Sequence, residues 1–391
     1  MRIVIVVPAV PRPFGDTAAR WFYVLVKQLL AHGHDVACLT VTEESDAVVE
    51  ASRRALADSA APGRLKFHRF SPRSDRNPLA RKALSLMKPF SETYYAPGLR
   101  EALNGELRAG YDVLHLEQLW TGWLGEGVPR SLLNIHHFEI IDWEDRHLEG
   151  LAERKAMVQM TRATQRIVRA NDRMRMFTPR LLEKARTINP NAKYWVVPFA
   201  LDLSHYPLQP MTEVAVLGMI GSMHWTPSRS AGERLITRIW PLVKKRVPNA
   251  KLFIAGWNAR KYLGRYLPLT DVTLEDGVPH PTDFFSKAGV MVYAPSRGSG
   301  MKIKNLESMA YGVPVVTTWE GVEGMEYENG KHCWVEEDDE SLAARAAELL
   351  EDRLQRERMR QAARALMEDR YSPGPVMAQM VRVYDEIAKD K

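Results

Sequence analysis

Apolar positions along the chain fall into two kinds of pattern. Short unbroken runs appear at Arg2 to Val7, Val36 to Val41, Leu65 to Phe70, Tyr111 to Leu116, Ser131 to Ile135, Met174 to Thr178 and Tyr194 to Val197. Runs of this kind suit strands buried on both faces of a parallel sheet. Between them, apolar residues recur every three or four positions, as on a helix packed against that sheet. After the proline-rich loop Pro8 to Gly15, a helix is predicted from a cap at Asp16 or Thr17, with Trp21, Phe22, Leu25, Leu29 and Leu30 inward and His32-Gly33 as its stop. Glu43 to Pro62 is polar and helix-prone, and Asp142 to Asp172 reads as a long charged helical region.

The alternation restarts after Phe199 to Met211, a stretch with Pro207 and Pro210 that reads as a linker. Val214 to Ile220, Leu252 to Ala255, Val272 to Leu274, Val290 to Tyr293, Val313 to Thr317 and His332 to Val335 are the predicted strands of the second half. Helices are expected from about Ser228 to Arg246, from Asp283, from near Met301, from Glu340 and Leu354, and from Pro375 to Ile387. Two such alternations predict an α/β chain of two Rossmann-like, doubly wound domains facing a central cleft. The expected division is 1–205, 206–370, and a closing helix at 371–391 that packs back on the first domain.

Ligands of doubly wound sheets bind beyond the carboxyl ends of the strands, so the strand-to-helix turns carry the candidate chemistry. The richest is Ala294 to Thr318. There Arg297-Gly298-Ser299-Gly300 forms a glycine turn ahead of a helix whose first turn holds Lys302 and Lys304. Glycines at such a turn let backbone N–H groups face an anion. Cations at a helix N-terminus oppose the macrodipole, and a broken local rule points to a function, here a phosphate site. Glu307, three residues beyond Lys304, suits sugar hydroxyls; equally, the two form an ordinary surface ion pair. Gly15 ends the loop after the first strand, where a ligand or a plain turn would each use it. His136 stands directly after the strand Ser131 to Ile135, as a site residue or as a cap on the next helix.

Composition narrows the field. The chain has 391 residues, two domains' worth, and only two cysteines, Cys38 and Cys333, each in an apolar run. They read as buried thiols of a protein in a reducing cytoplasm. The opening MRIVIVVPAV is too short to span a bilayer and lacks a signal-cleavage pattern. No metal-ligand cluster is visible, so no metal and no cofactor are expected. Residues 1–200 hold 29 Lys and Arg against 22 Asp and Glu, so the net charge of +6 sits in the first half. Residues 71–97, with Arg76, Arg81, Lys82 and Lys88 among large apolar side chains, read as an amphipathic segment. It either lies on a membrane or frames an acceptor cleft, or packs as an ordinary helix. A solvated basic face and an anionic partner both remain open.

Three blocks of the second half resemble a known family. Gly221-Ser222-Met223-His224-Trp225, the stretch PSRGSGMKIKNLESMAYGVPVVTT from Pro295 to Thr318, and EGVEGM from Glu320 to Met325 are similar to the nucleotide-sugar half of GT-B glycosyltransferases. The nearest group is the retaining family four, of the glycosyltransferase group 1 type. Gly15 to Arg20 and the His136 block fit more loosely. The resemblance implies that Glu307 binds ribose hydroxyls and that Lys302 and Lys304, with Arg297, hold a diphosphate. It further implies that Gly221 and Ser222 approach the phosphates, that backbone near Val278 meets the base, and that His136 touches the transferred sugar. Two features depart from the family pattern. The paired acids of many members reduce to Glu307, and the basic pair after the first donor-domain strand is replaced by Met223-His224-Trp225-Thr226.

The resulting expectation is a retaining, metal-independent transfer of a sugar from a UDP- or GDP-sugar. The acceptor would be a cell-surface glycan, a lipid-linked sugar or a small metabolite, handled in the cytoplasm or peripherally at the inner membrane face. The basic first half leans toward an anionic or membrane-associated acceptor. Two alternatives stand beside it: a transferase acting on a modified nucleic-acid base, and a sugar-nucleotide-binding protein that has lost catalysis.

Overall fold

A computed structural model describes residues 1–59, 61–72, 96–143 and 150–390. The amphipathic segment anticipated at 71–97 lies almost wholly outside the described residues. The chain divides into two compact units, Met1–Leu201 with Pro373–Lys391, and Asp202–Ser372.

The first unit is built on a seven-stranded parallel sheet in the order β3-β2-β1-β4-β5-β6-β7. Its strands are β1 (Arg2–Val7), β2 (Asp35–Val41), β3 (Leu65–Phe70), β4 (Val113–Glu117), β5 (Ser131–Ile135), β6 (Arg173–Met176) and β7 (Lys193–Val196). Ile3 to Val7 are at most 1% exposed, as the unbroken apolar run requires of a central strand covered on both faces. The order reverses between β1 and β4, which places a switch point there. The helix Thr17–Ala31 begins where its cap predicts: the Asp16 carboxylate accepts from the Ala19 N–H at 2.8 Å. The closing helix Pro373–Lys389 packs on the helix Thr17–Ala31 and on β4. It buries Val376, Met377, Met380, Val383, Tyr384 and Ile387. At its far end Asp390 meets Arg173 at 3.0 Å and Lys193 at 2.8 Å.

The second unit carries a six-stranded parallel sheet in the order β10-β9-β8-β11-β12-β13. The strands are β8 (Val216–Ile220), β9 (Lys251–Ala255), β10 (Val272–Glu275), β11 (Val290–Tyr293), β12 (Val315–Thr317) and β13 (Trp334–Val335). Its switch point falls between β8 and β11. The helix expected from Ser228 starts at Thr226, with Pro227 in its first turn. It passes through a wide π turn, Leu235–Ile239, into Trp240–Arg246. Pro241 explains the turn: it has no N–H to give to the preceding turn, and its ring crowds the carbonyl there.

Among the described residues no helix is long and apolar enough to cross a membrane.

The closing helix is anchored by one buried polar contact, the Tyr384 hydroxyl at 2.6 Å from His115 Nδ1. Tyr384→Phe leaves that nitrogen buried without its partner. It is expected to lower the unfolding free energy by about 1–2 kcal/mol, read as a lower urea midpoint of the first unit.

Candidate functional site

The candidate residues of the second unit gather on one edge of its sheet, beyond the carboxyl ends of β8, β10 and β11. The strand ends come close because glycine allows it. Gly221 follows β8 and donates to the Ala255 carbonyl at 3.0 Å. Gly256 follows β9 with φ +144°, and a Cβ there would fall 1.9 Å from the Gly221 carbonyl oxygen. A Cβ on Gly221 would in turn fall 2.9 Å from Ser228 Oγ and 3.2 Å from Lys304 Nζ. The backbone after β8 therefore lies directly against Lys304. Ser222 is exposed beside it, and Val278 is half-buried in the loop after β10.

The turn after β11 is held by side chains from two neighbouring elements. The Ser296 N–H donates to Ser230 Oγ at 3.2 Å, and the Gly298 N–H donates to the Glu320 carboxylate at 3.2 Å. Gly300 takes a left-handed φ of +79°. The helix then starts at Ile303, two residues later than expected, with Lys302 as its cap residue. This separates the two lysines. Lys302 is 1% exposed, and its ammonium donates to the carbonyls of Gly300 at 2.6 Å and Gly298 at 3.2 Å. It also lies 3.4 Å from the Glu323 carboxylate, itself 2% exposed. A buried cation needs acceptors and a counter-charge, and Lys302 finds them in its own loop and in the loop after β12. Both lysines were expected to open toward an incoming anion; the ammonium of Lys302 meets the carbonyls of its own turn and ties it together. Arg297, half-buried, and Ser299, buried, lie within the same turn.

Lys304 is placed differently. Its ammonium donates to Ser228 Oγ at 2.9 Å and stands over the rings of Tyr293 at 4.2 Å and Trp225 at 4.9 Å. Among the described residues it has no carboxylate within ion-pair distance. Burial, helped by the Lys302 charge and opposed by Glu307, pulls its pKa down to about 7. Glu307, one turn along and 7% exposed, accepts from the Tyr206 hydroxyl at 3.3 Å. Trp225 and Ser228 had no role assigned from the sequence: Trp225 stands in the block that replaces the family's basic pair, and Ser228 marked only the expected helix start.

Gly15 and His136 belong to the first unit. Gly15 has φ +120°, and the Arg12 guanidinium fills the space beside it: a Cβ would lie 3.2 Å from Arg12 Nε. Arg12 pairs with Glu44 at 2.8 Å. His136 follows β5 as anticipated and does not cap a helix; its Nε2 is 2.7 Å from Glu117 Oε2. Glu117, the last residue of β4, was not singled out from the sequence, since one acid ending an apolar run gives no pattern. It is fully buried and collects donors: Trp21 Nε1 at 2.7 Å, Asn134 Nδ2 at 2.6 Å and His136, with His115 Nε2 at 2.9 Å. Burial opposes its ionisation, yet the electrostatic pull and hydrogen bonds of the His115 and His136 rings hold the carboxyl well below the usual range. An ionised carboxylate only accepts, so His136 carries its proton on Nε2. Burial, against the pull of Glu117, lowers the His136 pKa and keeps the ring neutral near pH 7. Arg175 balances Glu117; it donates to Asn134 Oδ1 at 3.0 Å and stacks on Trp21 and Phe177. Among the described residues no group of three or more His, Cys, Asp or Glu is placed to hold a metal. Both cysteines are buried, and burial pushes each thiol up to about 12.

Comparisons with known proteins agree with this architecture. Residues 214–352 match the family model described as Glycosyl transferases group 1. No curated protein matches. Among solved structures, the sucrose-phosphate synthase of Thermosynechococcus elongatus is similar over 99% of this chain and 98% of its own, at 15% identity and a TM-score of 0.69. HepE of Anabaena, solved with UDP and glucose, is similar over 99% of this chain and all of its own, at 13% identity and 0.65. WaaG, a glycosyltransferase involved in lipopolysaccharide biosynthesis, matches with the same coverage at 15% and 0.65. The chain has the GT-B fold.

The two lysines predict opposite stability effects. Lys302→Met strands Glu323 in the interior and should cost about 3–5 kcal/mol. Lys304→Met removes a desolvated cation that lacks a carboxylate partner and should be neutral or stabilising. The sign with pH follows from linkage. The folded pKa of Lys304 lies below the unfolded 10.5, so its penalty is complete below about pH 7 and fades as pH rises toward 10.5. Denaturant unfolding of both variants across pH 6–10 checks this: the excess stability of Lys304→Met should shrink as pH rises.

Proposed function

We propose that the chain is a glycosyltransferase whose donor is a sugar nucleotide, with the diphosphate seated at the β8–β11 switch point of the second unit. The observation that carries this reading is Lys304, a half-buried ammonium against the glycine backbone after β8 with no carboxylate partner among the described residues. An anion arriving there meets a charge that the fold has not already neutralised. As the sugar–phosphate bond breaks, negative charge grows on the departing diphosphate. A cation fixed in position stabilises it without reorganisation, by about 3–4 kcal/mol for one well-placed donor. Arg297, Ser299 and Gly300 complete the phosphate environment, Glu307 receives the ribose hydroxyls, and backbone near Val278 meets the base.

Transfer is taken to retain configuration and to need no metal, with the leaving phosphate helping to take the acceptor proton. In the first unit, His136 presents a neutral ring to a sugar hydroxyl and Gly15 lines the ligand approach after β1. UDP-sugars are the first donors to test, because HepE was solved with UDP; GDP-sugars come next. A surface glycan or a lipid-linked sugar is the first acceptor class, with WaaG as the precedent and the basic first half in keeping. The reaction is placed in the cytoplasm, in line with two buried free thiols.

A second reading, a sugar-nucleotide-binding protein without turnover, has one specific support: Lys302 spends its charge on Glu323, leaving a single lysine for the phosphates.

Purified protein incubated with UDP-, GDP-, ADP- and TDP-sugars and with acceptor glycans should release nucleoside diphosphate. Tight binding without release would favour the second reading. Lys304→Ala should lower kcat about a hundredfold or more, and Glu307→Ala should raise the donor KM with a smaller effect on kcat.

Donor binding should also take up a proton. A sugar nucleotide keeps constant charge above pH 6, whereas Lys304, flanked by Lys302 and Glu307, has its pKa raised by the bound diphosphate. Calorimetry at pH 8 in buffers of different ionisation enthalpy should show net uptake in the wild type and none in Lys304→Met.

A further inference from the structure

Trp257 stands on the same strand-end edge as the candidate anion site, yet the phosphate assignments leave it unused. It follows Gly256 at the end of β9, and its side chain is 61% exposed. The backbone is shaped to present it. Gly256 has φ +144°, and Asn258 takes the left-handed φ of +63° to start the helix Ala259–Leu263. The turn is fixed on both sides: the Gly256 N–H donates to the Glu275 carbonyl at 2.9 Å, and the Trp257 carbonyl accepts from the Met223 N–H at 2.9 Å. The indole is therefore mounted on a rigid turn that touches Gly221, the residue against Lys304. The exposed His224 ring sits 5.6 Å from it, tilted by 54°.

A large aromatic face left open beside a charged pocket on a fixed backbone is arranged for contact. We infer that Trp257 is the stacking platform for the nucleobase of the donor, a role that rests on the proposed diphosphate position at Lys304. The neighbouring order of strands supports a base rather than a sugar ring. Beyond Trp257, toward the sheet edge, lies the loop Asp276 to His280, which starts where Glu275 holds Gly256. A flat heterocycle needs a face and an edge. Trp257 supplies the face and the backbone of that loop supplies polar groups at the edge, while Lys304 lies on the other side of Gly221 for the phosphates. Every base has a π-face, so the platform adds affinity for all nucleotides, and the choice among bases falls to the loop.

The test is equilibrium binding of UDP, GDP and inorganic pyrophosphate to the wild type and to Trp257→Ala, Trp257→Phe and Lys304→Ala. Stacking on one aromatic side chain corresponds to roughly a five- to hundredfold effect. Trp257→Ala should weaken UDP and GDP by that factor and leave pyrophosphate unchanged, and Trp257→Phe should keep most of the affinity. Lys304→Ala should weaken all three. Equal loss of pyrophosphate in Trp257→Ala would mean that the indole merely supports the turn, and would overturn the inference. Unchanged UDP and GDP binding in Trp257→Ala would also overturn it, while leaving the diphosphate site intact if Lys304→Ala still fails to bind. Absence of nucleotide binding in the wild type would sink both. Because the ring is exposed, its removal should not unfold the chain, and an unaltered melting temperature confirms that the binding data concern folded protein.

Discussion

The shape of the turn after β11 depends on one buried ammonium. Lys302 cannot reach water, so it draws the carbonyls of Gly298 and Gly300 inward and meets Glu323 across the next loop. Turning those carbonyls in sets which way the peptide units of the turn face. It also neutralises Lys302 locally, so the net positive charge at the switch point is carried by Lys304. An ammonium expected to face an anion is thus bound to the frame of its own turn.

The first unit solves a similar problem with the opposite sign. Glu117 ends β4 inside the sheet layer, where an isolated carboxylate is untenable. It survives because Trp21, Asn134 and His136 donate to it and Arg175 balances its charge. The closing helix contributes as well, since Tyr384 holds the His115 ring that faces Glu117. Such a network is worth its burial only when complete. Residues from β4, β5, β6, the first helix and the last one are therefore fixed together, and His136 inherits a defined tautomer from partners distant in sequence.

The strands were legible because a parallel sheet covered on both faces demands unbroken apolar runs, and Val290–Tyr293 and Ser131–Ile135 fall where those runs lie. Two such alternations implied two doubly wound domains, and the resemblance of the blocks around Gly221 and Pro295 implied the GT-B architecture. The direction of side chains was not legible. Lys302 and Lys304 look alike in sequence, and a shift of the helix start from Met301 to Ile303 sends one into the core and leaves the other at the surface of the turn. Glu117 was silent for a different reason. A buried acid is recognised by its partners, and they lie 2, 17, 19 and 96 residues away. Trp257 carried no signal in the sequence, because only the φ of Gly256 shows the chain turning there.

Charge bookkeeping within each unit indicates what each can receive. In the second, the Lys302–Glu323 pair cancels and Glu307 accepts from Tyr206, which leaves Lys304, among the described residues, without a carboxylate at ion-pair distance in a partly desolvated site. Its ring neighbours Tyr293 and Trp225 soften that deficit without removing it, so a polyanion gains more there than a neutral sugar does. In the first, Glu117 and Arg175 offset one another, and His136 stays neutral against the rings of Phe22 and Phe177. The two units thus bury charge differently: the second keeps the Lys304 ammonium beside two aromatic rings, and the first encloses Glu117 among donors with Arg175 as its counter-charge.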